Sequence, residues 1–75
     1  MNMKTTMITS DVKTQIKTIA ADGQPKPAAR IAEILVSCGF VKNSGLAHGF
    51  ALSVLDGPVR EIECAQDELV NYIYS

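Results

Sequence analysis

The chain contains little of the chemistry that small proteins use for catalysis or cross-linking. Its 75 residues include two cysteines, one histidine and no tryptophan. Two cysteines, Cys38 and Cys64, are too few for a disulfide framework and lack the close spacing of zinc ligands. No apolar run is long enough for a secretory signal or a membrane span. We therefore expect a cytoplasmic protein with no membrane association, no metal and no cofactor.

Catalytic motifs are absent as well. Gly45 and Gly49 are not followed by the Gly-Lys-Ser/Thr of a phosphate loop, and no three spaced glycines form a dinucleotide fingerprint. The single histidine, His48, has no nucleophile or orienting acid that the sequence identifies, so we expect an exposed loop histidine, with a Cys-His metal site or dyad as the alternative. Both thiols are expected to be small core side chains, with a mutual disulfide as the alternative. The sequence thus predicts a protein that is not an enzyme.

Length and composition predict one small folded domain covering residues 1–75, with residues 1–9 left open as a flexible segment or a short edge strand. The chain is 47% hydrophobic and 20% charged, which differs from the low hydrophobicity and high charge of disordered proteins. A core of this size rarely supplies more than about 3–5 kcal/mol of stability. A partner chain is therefore an expected source of further stability.

The N-terminal half carries the pattern of two helices. A stripe at i, i+4, i+7 and i+8 predicts the first helix over Ser10–Asp22, with Ser10 as its N-cap and Gly23 as its left-handed end. Pro27 suits the first position of a second helix, which we expect to end at Cys38 before Gly39. The residues of this second helix expected to face solvent are Arg30, Glu33 and Ser37.

The next segment is predicted to be a β-hairpin. Strand one is Phe40–Asn43, strand two is Gly49–Leu55, and Ser44–His48 forms the loop between them. A turn at residues 56–58 then leads into a third strand over Val59–Cys64. A short helix over Gln66–Tyr74 would close the domain.

A helical interpretation of Gly45–Leu55 is the alternative, because Leu46, Phe50 and Val54 also lie at i, i+4 and i+8. The interior glycine at position 49 and the Asp-Gly-Pro turn favour the strand. We therefore expect an α+β fold, in which two N-terminal helices pack on a small antiparallel β-meander or hairpin and a short C-terminal helix closes the domain.

The charges are unevenly distributed along the chain. Residues 1–50 hold six Lys or Arg against three Asp or Glu, whereas residues 51–75 hold one against five. Such polarity can orient a charged partner or let two copies associate head to tail. Basic side chains and terminal tyrosines are accordingly the candidate partner-binding residues: Lys13, Lys17, Arg30, Lys42, Tyr72 and Tyr74.

Residues 27–55 resemble the second half of a winged helix. A helix is followed by Cys38-Gly39-Phe40-Val41 and then by a hairpin loop and strand that would form the wing. The resemblance implies that the second helix enters the major groove and that His48 and Lys42 lie near phosphates. A winged-helix-like nucleic-acid-binding regulator is therefore one functional expectation.

The preferred expectation is a non-catalytic interaction protein. The calculated isoelectric point is about 5.6, far from the basic values typical of nucleic-acid-binding domains. We expect a small regulator, inhibitor or adaptor, of the kind found among phage and plasmid accessory proteins, that docks on a larger protein or complex. A homodimer is left open.

Overall fold

The computed structural model describes residues 8–23, 25–58 and 65–75. These residues form four helices: α1 (Ser10–Asp22), α2 (Pro27–Ser37), α3 (Ser44–Asp56) and α4 (Ala65–Ile73). The most extensive helix contact joins α2 to α3, followed by α3 with α4 and α1 with α2. Within the described ranges there is no strand, so the expected α+β fold is wrong. None of these helices has the length and hydropathy to span a bilayer.

Helix α1 has the bounds that the apolar stripe predicts, but its N-cap is Thr9 rather than Ser10. The Thr9 hydroxyl accepts a hydrogen bond from the Val12 N–H at 3.3 Å. Gly23 ends the helix with φ of 65°, a conformation that glycine adopts at little cost. The predicted glycine stop is thus confirmed.

Helix α2 begins at Pro27 as expected and ends at Ser37, one residue before the predicted end. Cys38 is the C-cap, and Gly39 follows it with φ of 85°. The Phe40 N–H then donates to the Leu35 carbonyl at 3.1 Å, which turns the chain back over the end of the helix. Phe40 is buried there, and the predicted glycine stop is confirmed.

The predicted hairpin is wrong, because Gly49–Leu55 lies inside α3 and Phe40–Asn43 is an irregular turn. The cause is a helix cap at Asn43. Its side-chain oxygen accepts from the Gly45 N–H at 2.7 Å and from the Leu46 N–H at 3.1 Å. These bonds satisfy donors at the start of a helix that would otherwise lack partners. The predicted third strand, Val59–Cys64, lies outside the described residues.

Gly49 lies in the interior of α3, at a point where the Gln66 side chain of α4 approaches the helix. A Cβ atom added to Gly49 would lie 3.3 Å from the Gln66 side-chain nitrogen. Beside it, the Ser53 hydroxyl and the Gln66 side-chain oxygen are 2.9 Å apart. The glycine that favoured a strand in the sequence therefore makes room for a neighbouring helix.

The described core is apolar throughout. It draws on all four helices, and no polar or charged residue of the described ranges is buried. Phe40 packs edge-to-face on Phe50, with ring centroids 5.2 Å apart, and so attaches the α2–α3 turn to α3. Helix α4 contributes Leu69, Val70 and Ile73, which are all fully buried. The core residues are Ile8, Ile16, Ile31, Ala32, Leu35, Phe40, Ala47, Ala51, Val54, Leu69, Val70 and Ile73.

Candidate functional site

Helices α2 and α3 border an open groove of about 550 Å³, called here the α2/α3 groove. Most of its lining side chains are small, which keeps the walls low and the groove shallow. The α2 wall consists of Ala29, Ala32, Glu33, Val36 and Ser37. The α3 wall consists of Ser44, Gly45 and His48.

The groove is an exposed surface rather than an enclosed pocket. Of its lining residues only Ala32 is buried, and most of the others are exposed. Small-molecule sites usually enclose most of their ligand and are lined by large apolar side chains. An open groove with low walls suits a macromolecular ligand better.

Exposed apolar side chains extend this surface. The large exposed hydrophobic residues of the described ranges are Val36, Leu46 and Leu52, and all three lie on α2 or α3. Leu52, which is 51% exposed, lies at i+7 from Gly45 and i+4 from His48, so the three share one face of α3. Val36 and Leu52 therefore add apolar area to the two sides of the groove.

A second depression, of about 470 Å³, continues the groove at the N-terminal end of α2. The two depressions share Ala29 and Glu33. We call this second depression, whose lining includes Lys26 and Arg30, the basic end. Both cations are exposed, and neither has a hydrogen-bond or ion-pair partner among the described residues.

The start of α2 adds to the positive potential of the basic end. Unlike α1 and α3, α2 has no side-chain cap at its N-terminus. Its first turn also contains no acidic residue, whereas the first turn of α1 contains Asp11. The positive end of the helix dipole therefore lies beside two cations, and the first turn of α2 contains no carboxylate to offset it.

Three of the predicted contact residues, Lys13 on α1 and the two tyrosines, instead make contacts around the C-terminal end of α4. The Tyr72 hydroxyl donates to the Ile8 carbonyl at 2.8 Å, and the Tyr74 hydroxyl donates to the Val54 carbonyl at 2.9 Å. Lys13 places its Nζ 3.1 Å from the Ser75 hydroxyl and 5.0 Å from the Tyr72 ring centroid. We call Lys13, Tyr72, Tyr74 and Ser75 the α4 seam.

Burial at the α4 seam also affects ionisation, because it raises the pKa of the Tyr74 hydroxyl. The cause is desolvation, which penalises the charged phenolate. The seam groups that the sequence nominated for a partner thus have contacts within the molecule itself.

The other predicted contact residues lie on separate parts of the surface. Lys17 is exposed on α1, Lys42 is exposed in the α2–α3 turn, and Arg30 belongs to the basic end. The structure therefore does not bring the six candidates into one site. Sequence reasoning missed Val36 and Leu52, and the helical interpretation of Gly45–Leu55 was the signal that could have found Leu52.

Among the described residues, His48 and Cys38 do not belong to a metal-binding cluster. His48 is exposed on α3 rather than in the predicted loop. Cys38 is half-buried, and its Sγ is 3.5 Å from the Leu35 carbonyl oxygen. Cys64 lies outside the described residues, and Cys38 is a free cysteine in this structure. In the described ranges no three His, Cys, Asp or Glu side chains are grouped to hold a metal ion.

The wing required by the winged-helix resemblance is also replaced by α3. The predicted wing strand, Gly49–Leu55, is helical, and the described residues contain no hairpin. The helix that follows the turn contains no lysine or arginine along Ser44–Asp56. The described residues therefore do not support the resemblance to a winged helix.

No protein-family model, curated protein or solved structure matches this chain. In the described ranges the chain is an all-helical domain, in which the α4 seam has internal contacts and the α2/α3 groove is open to solvent. Its function must be inferred from the chemistry of those two surfaces.

Proposed function

We propose that this protein is a non-catalytic interaction protein that docks on a larger protein through the α2/α3 groove. It would act as a small regulator, inhibitor or adaptor. The observation that carries this proposal is the exposure of Val36 and Leu52 on the two helices that border the groove. Apolar side chains exposed on the two helices that border a groove are available to an interaction partner.

The expected gain from covering these side chains is useful but limited. Complete burial of a valine or leucine side chain is worth about 1.5–3 kcal/mol. Val36 is 37% exposed and Leu52 is 51% exposed, so a partner can gain only part of that value at each position. Polar contacts at the rim must therefore supply much of the remaining affinity and most of the specificity.

A protein partner is favoured over a nucleic acid by the composition of α3. Phosphate backbones are bound mainly by lysine and arginine, and base edges are read mainly by arginine, lysine, asparagine and glutamine. None of these residues is present in α3, whose groove side exposes His48 and Leu52 instead. Such a face suits a protein surface better than a duplex.

A cytoplasmic location forms part of the same proposal. The cytoplasm keeps thiols reduced, and Cys38 is a free cysteine in this structure. Resistance of Cys38 to disulfide formation in native cells, measured by alkylation of the intact protein, would support this location.

The docking proposal is tested by affinity capture from native-cell extract with three immobilised proteins. These are the wild type, Val36→Glu, and Thr14→Glu, a control that adds the same charge on the side of α1 opposite the buried Ile16. We expect a protein that the wild type and Thr14→Glu retain and Val36→Glu loses. Circular dichroism should show that all three are folded. The proposal is wrong if Val36→Glu retains the same proteins as the wild type.

A further inference from the structure

We propose that the occupant of the α2/α3 groove is an acidic amphipathic helix of the partner protein, with carboxylates bound at the basic end. This inference rests on the proposed docking function and specifies the chemistry of its ligand. It is carried by the shape of the groove, by the absence of a sheet edge in the described ranges and by the unpartnered cations of α2.

The groove favours a helical ligand over an extended one. A ligand that binds by adding a β-strand needs a strand edge to pair its backbone N–H and C=O groups, and the described residues provide no strand. A helix pairs these groups internally and presents only side chains to an apolar surface. Small residues in the walls, such as Ala29, Ala32 and Gly45, allow a helix to approach closely.

The basic end favours acidic side chains on that helix. Lys26 and Arg30 lack partners among the described residues, and the α2 N-terminus beside them lacks a side-chain cap and an acidic first turn. A carboxylate placed there would make charge-assisted hydrogen bonds with the cations and interact favourably with the helix dipole. Lys13 shows the contrasting case, since its Nζ is already placed against Ser75 and the Tyr72 ring.

Glu33 limits where the carboxylates of the partner can lie. It is exposed and belongs to both depressions, so it lies where the basic end meets the rest of the groove. An acidic side chain opposite Glu33 would be repelled, whereas an apolar or basic one would be accepted. The matching helix therefore has its acidic residues clustered near one end, and an apolar stripe along the remainder.

The probes for this inference are fluorescein-labelled, stapled helical peptides of about 18 residues, a length that spans the groove and the basic end. Each has an Ala/Leu stripe and three glutamates clustered at one end, with the cluster at the N-terminal end in one peptide and at the C-terminal end in the other. Matched peptides carry lysines in place of the glutamates. An 18-base-pair DNA duplex serves as the nucleic-acid probe, and sedimentation of the protein alone tests a second copy as occupant.

Binding is measured by fluorescence anisotropy with the wild-type protein, Arg30→Gln and Thr14→Glu. The last two change the net charge by the same amount, but only Arg30 lies at the basic end. We expect one glutamate peptide to bind the wild type at least about tenfold more tightly than its lysine counterpart. Arg30→Gln should weaken that binding by about three- to tenfold, whereas Thr14→Glu should change it by less than about twofold.

Four results would overturn the inference. They are preference for the lysine peptides, no effect of Arg30→Gln, binding of neither glutamate peptide, and tighter binding of the duplex or of a second copy at the groove. The docking proposal fails separately, when capture of the partner is insensitive to Val36→Glu. Capture that depends on Val36 combined with no preference for glutamate peptides would leave the docking proposal standing and remove only the acidic helix.

Discussion

The α4 seam and the α2/α3 groove differ in how their polar groups are used. At the seam, Tyr72 and Tyr74 donate to backbone carbonyls, and Lys13 contacts Ser75 and an aromatic ring. At the basic end of the groove, Lys26 and Arg30 have no partner among the described residues. The seam therefore consists of contacts that stabilise the fold, while the groove offers groups that remain available to a ligand.

The comparison also separates two kinds of apolar residue. Leu69 on α4 is fully buried, whereas Leu52 on α3 is 51% exposed. Exposed apolar area contributes little to the stability of the isolated domain and is available for binding. Matched substitutions can thus distinguish residues that stabilise the fold from residues that bind a partner.

The largest expected effect comes from comparing Leu69→Ala with Leu52→Ala. Leu69→Ala removes a fully buried side chain and should lower the free energy of unfolding by about 2–5 kcal/mol. Leu52→Ala should lower it by about 0.5 kcal/mol or less, but should weaken partner binding. Urea denaturation followed by circular dichroism measures both. Equal losses of stability would contradict the distinction between the buried core face of α4 and the exposed face of α3.

Asn43→Ala should affect both stability and the groove. It removes the hydrogen bonds to the Gly45 and Leu46 N–H groups at the start of α3, where the groove wall begins. We expect a loss of about 1 kcal/mol in the free energy of unfolding, measured in urea. The control Asn43→Asp keeps the cap and should lose much less. If alanine and aspartate behave alike, the cap does not explain why this segment is helical.

Two tyrosine substitutions test the hydrogen bonds of the seam. Tyr72→Phe leaves the Ile8 carbonyl without its only donor in the described part of the chain, so we expect a loss of about 1 kcal/mol. Tyr74→Phe should lose less, because the Val54 carbonyl still accepts from the Gly57 N–H at 3.1 Å. Thermal unfolding ranks the two. Neither change should alter binding at the groove, and reduced binding by either would move the recognition surface towards α4.

Lys13→Gln and Arg30→Gln compare a cation with internal contacts and a cation without them. Lys13→Gln removes the contacts with Ser75 and the Tyr72 ring and should cost about 0.5 kcal/mol of stability. Arg30→Gln should change stability by only a few tenths of a kcal/mol, since this cation lies exposed without a partner. Urea midpoints measured side by side give the ranking. A larger loss for Arg30→Gln would show that the basic end is structural.

The smallest effect concerns pH. Burial raises the pKa of Tyr74, so the unfolded chain loses this proton at a lower pH than the folded protein does. The contribution of Tyr74 to stability is therefore complete below about pH 10 and declines as the pH rises through the higher folded value. Unfolding measured from pH 8 to 11 should show a steeper alkaline decline for the wild type than for Tyr74→Phe. Parallel declines would contradict this expectation.

Helices α1, α2 and α4 could be predicted from the sequence because their signals are local. Apolar stripes marked all three, and Gly23, Pro27 and Gly39 marked the ends of α1 and α2. Helix α3 was mistaken for a strand because its sequence is apolar on nearly all sides, so periods of 2 and 3.6 fit it equally well. The cap at Asn43 and the approach of Gln66 to Gly49 favour the helix over the strand. The second of these depends on tertiary structure.

The candidate site was less predictable than the fold. The exposure of Arg30 on α2 was predicted correctly, but Val36 was not among the residues of α2 expected to face solvent, and Leu52 was assigned to a strand. Whether a single apolar residue is exposed depends on which helices pack together. The packing of α2 on α3 could not be predicted, because α3 was predicted to be a strand. The tyrosines were nominated for their chemistry, while their hydroxyl partners, Ile8 and Val54, lie far away in sequence.

Photo-cross-linking in native cells tests the central claim most directly. A benzophenone amino acid is placed at position 36 beside the groove, at position 52 on α3, or at position 18 on the exposed side of α1. We predict that positions 36 and 52 give a common adduct with one larger protein and that position 18 gives none. Adducts formed from position 18 alone would contradict the assignment of recognition to the α2/α3 groove.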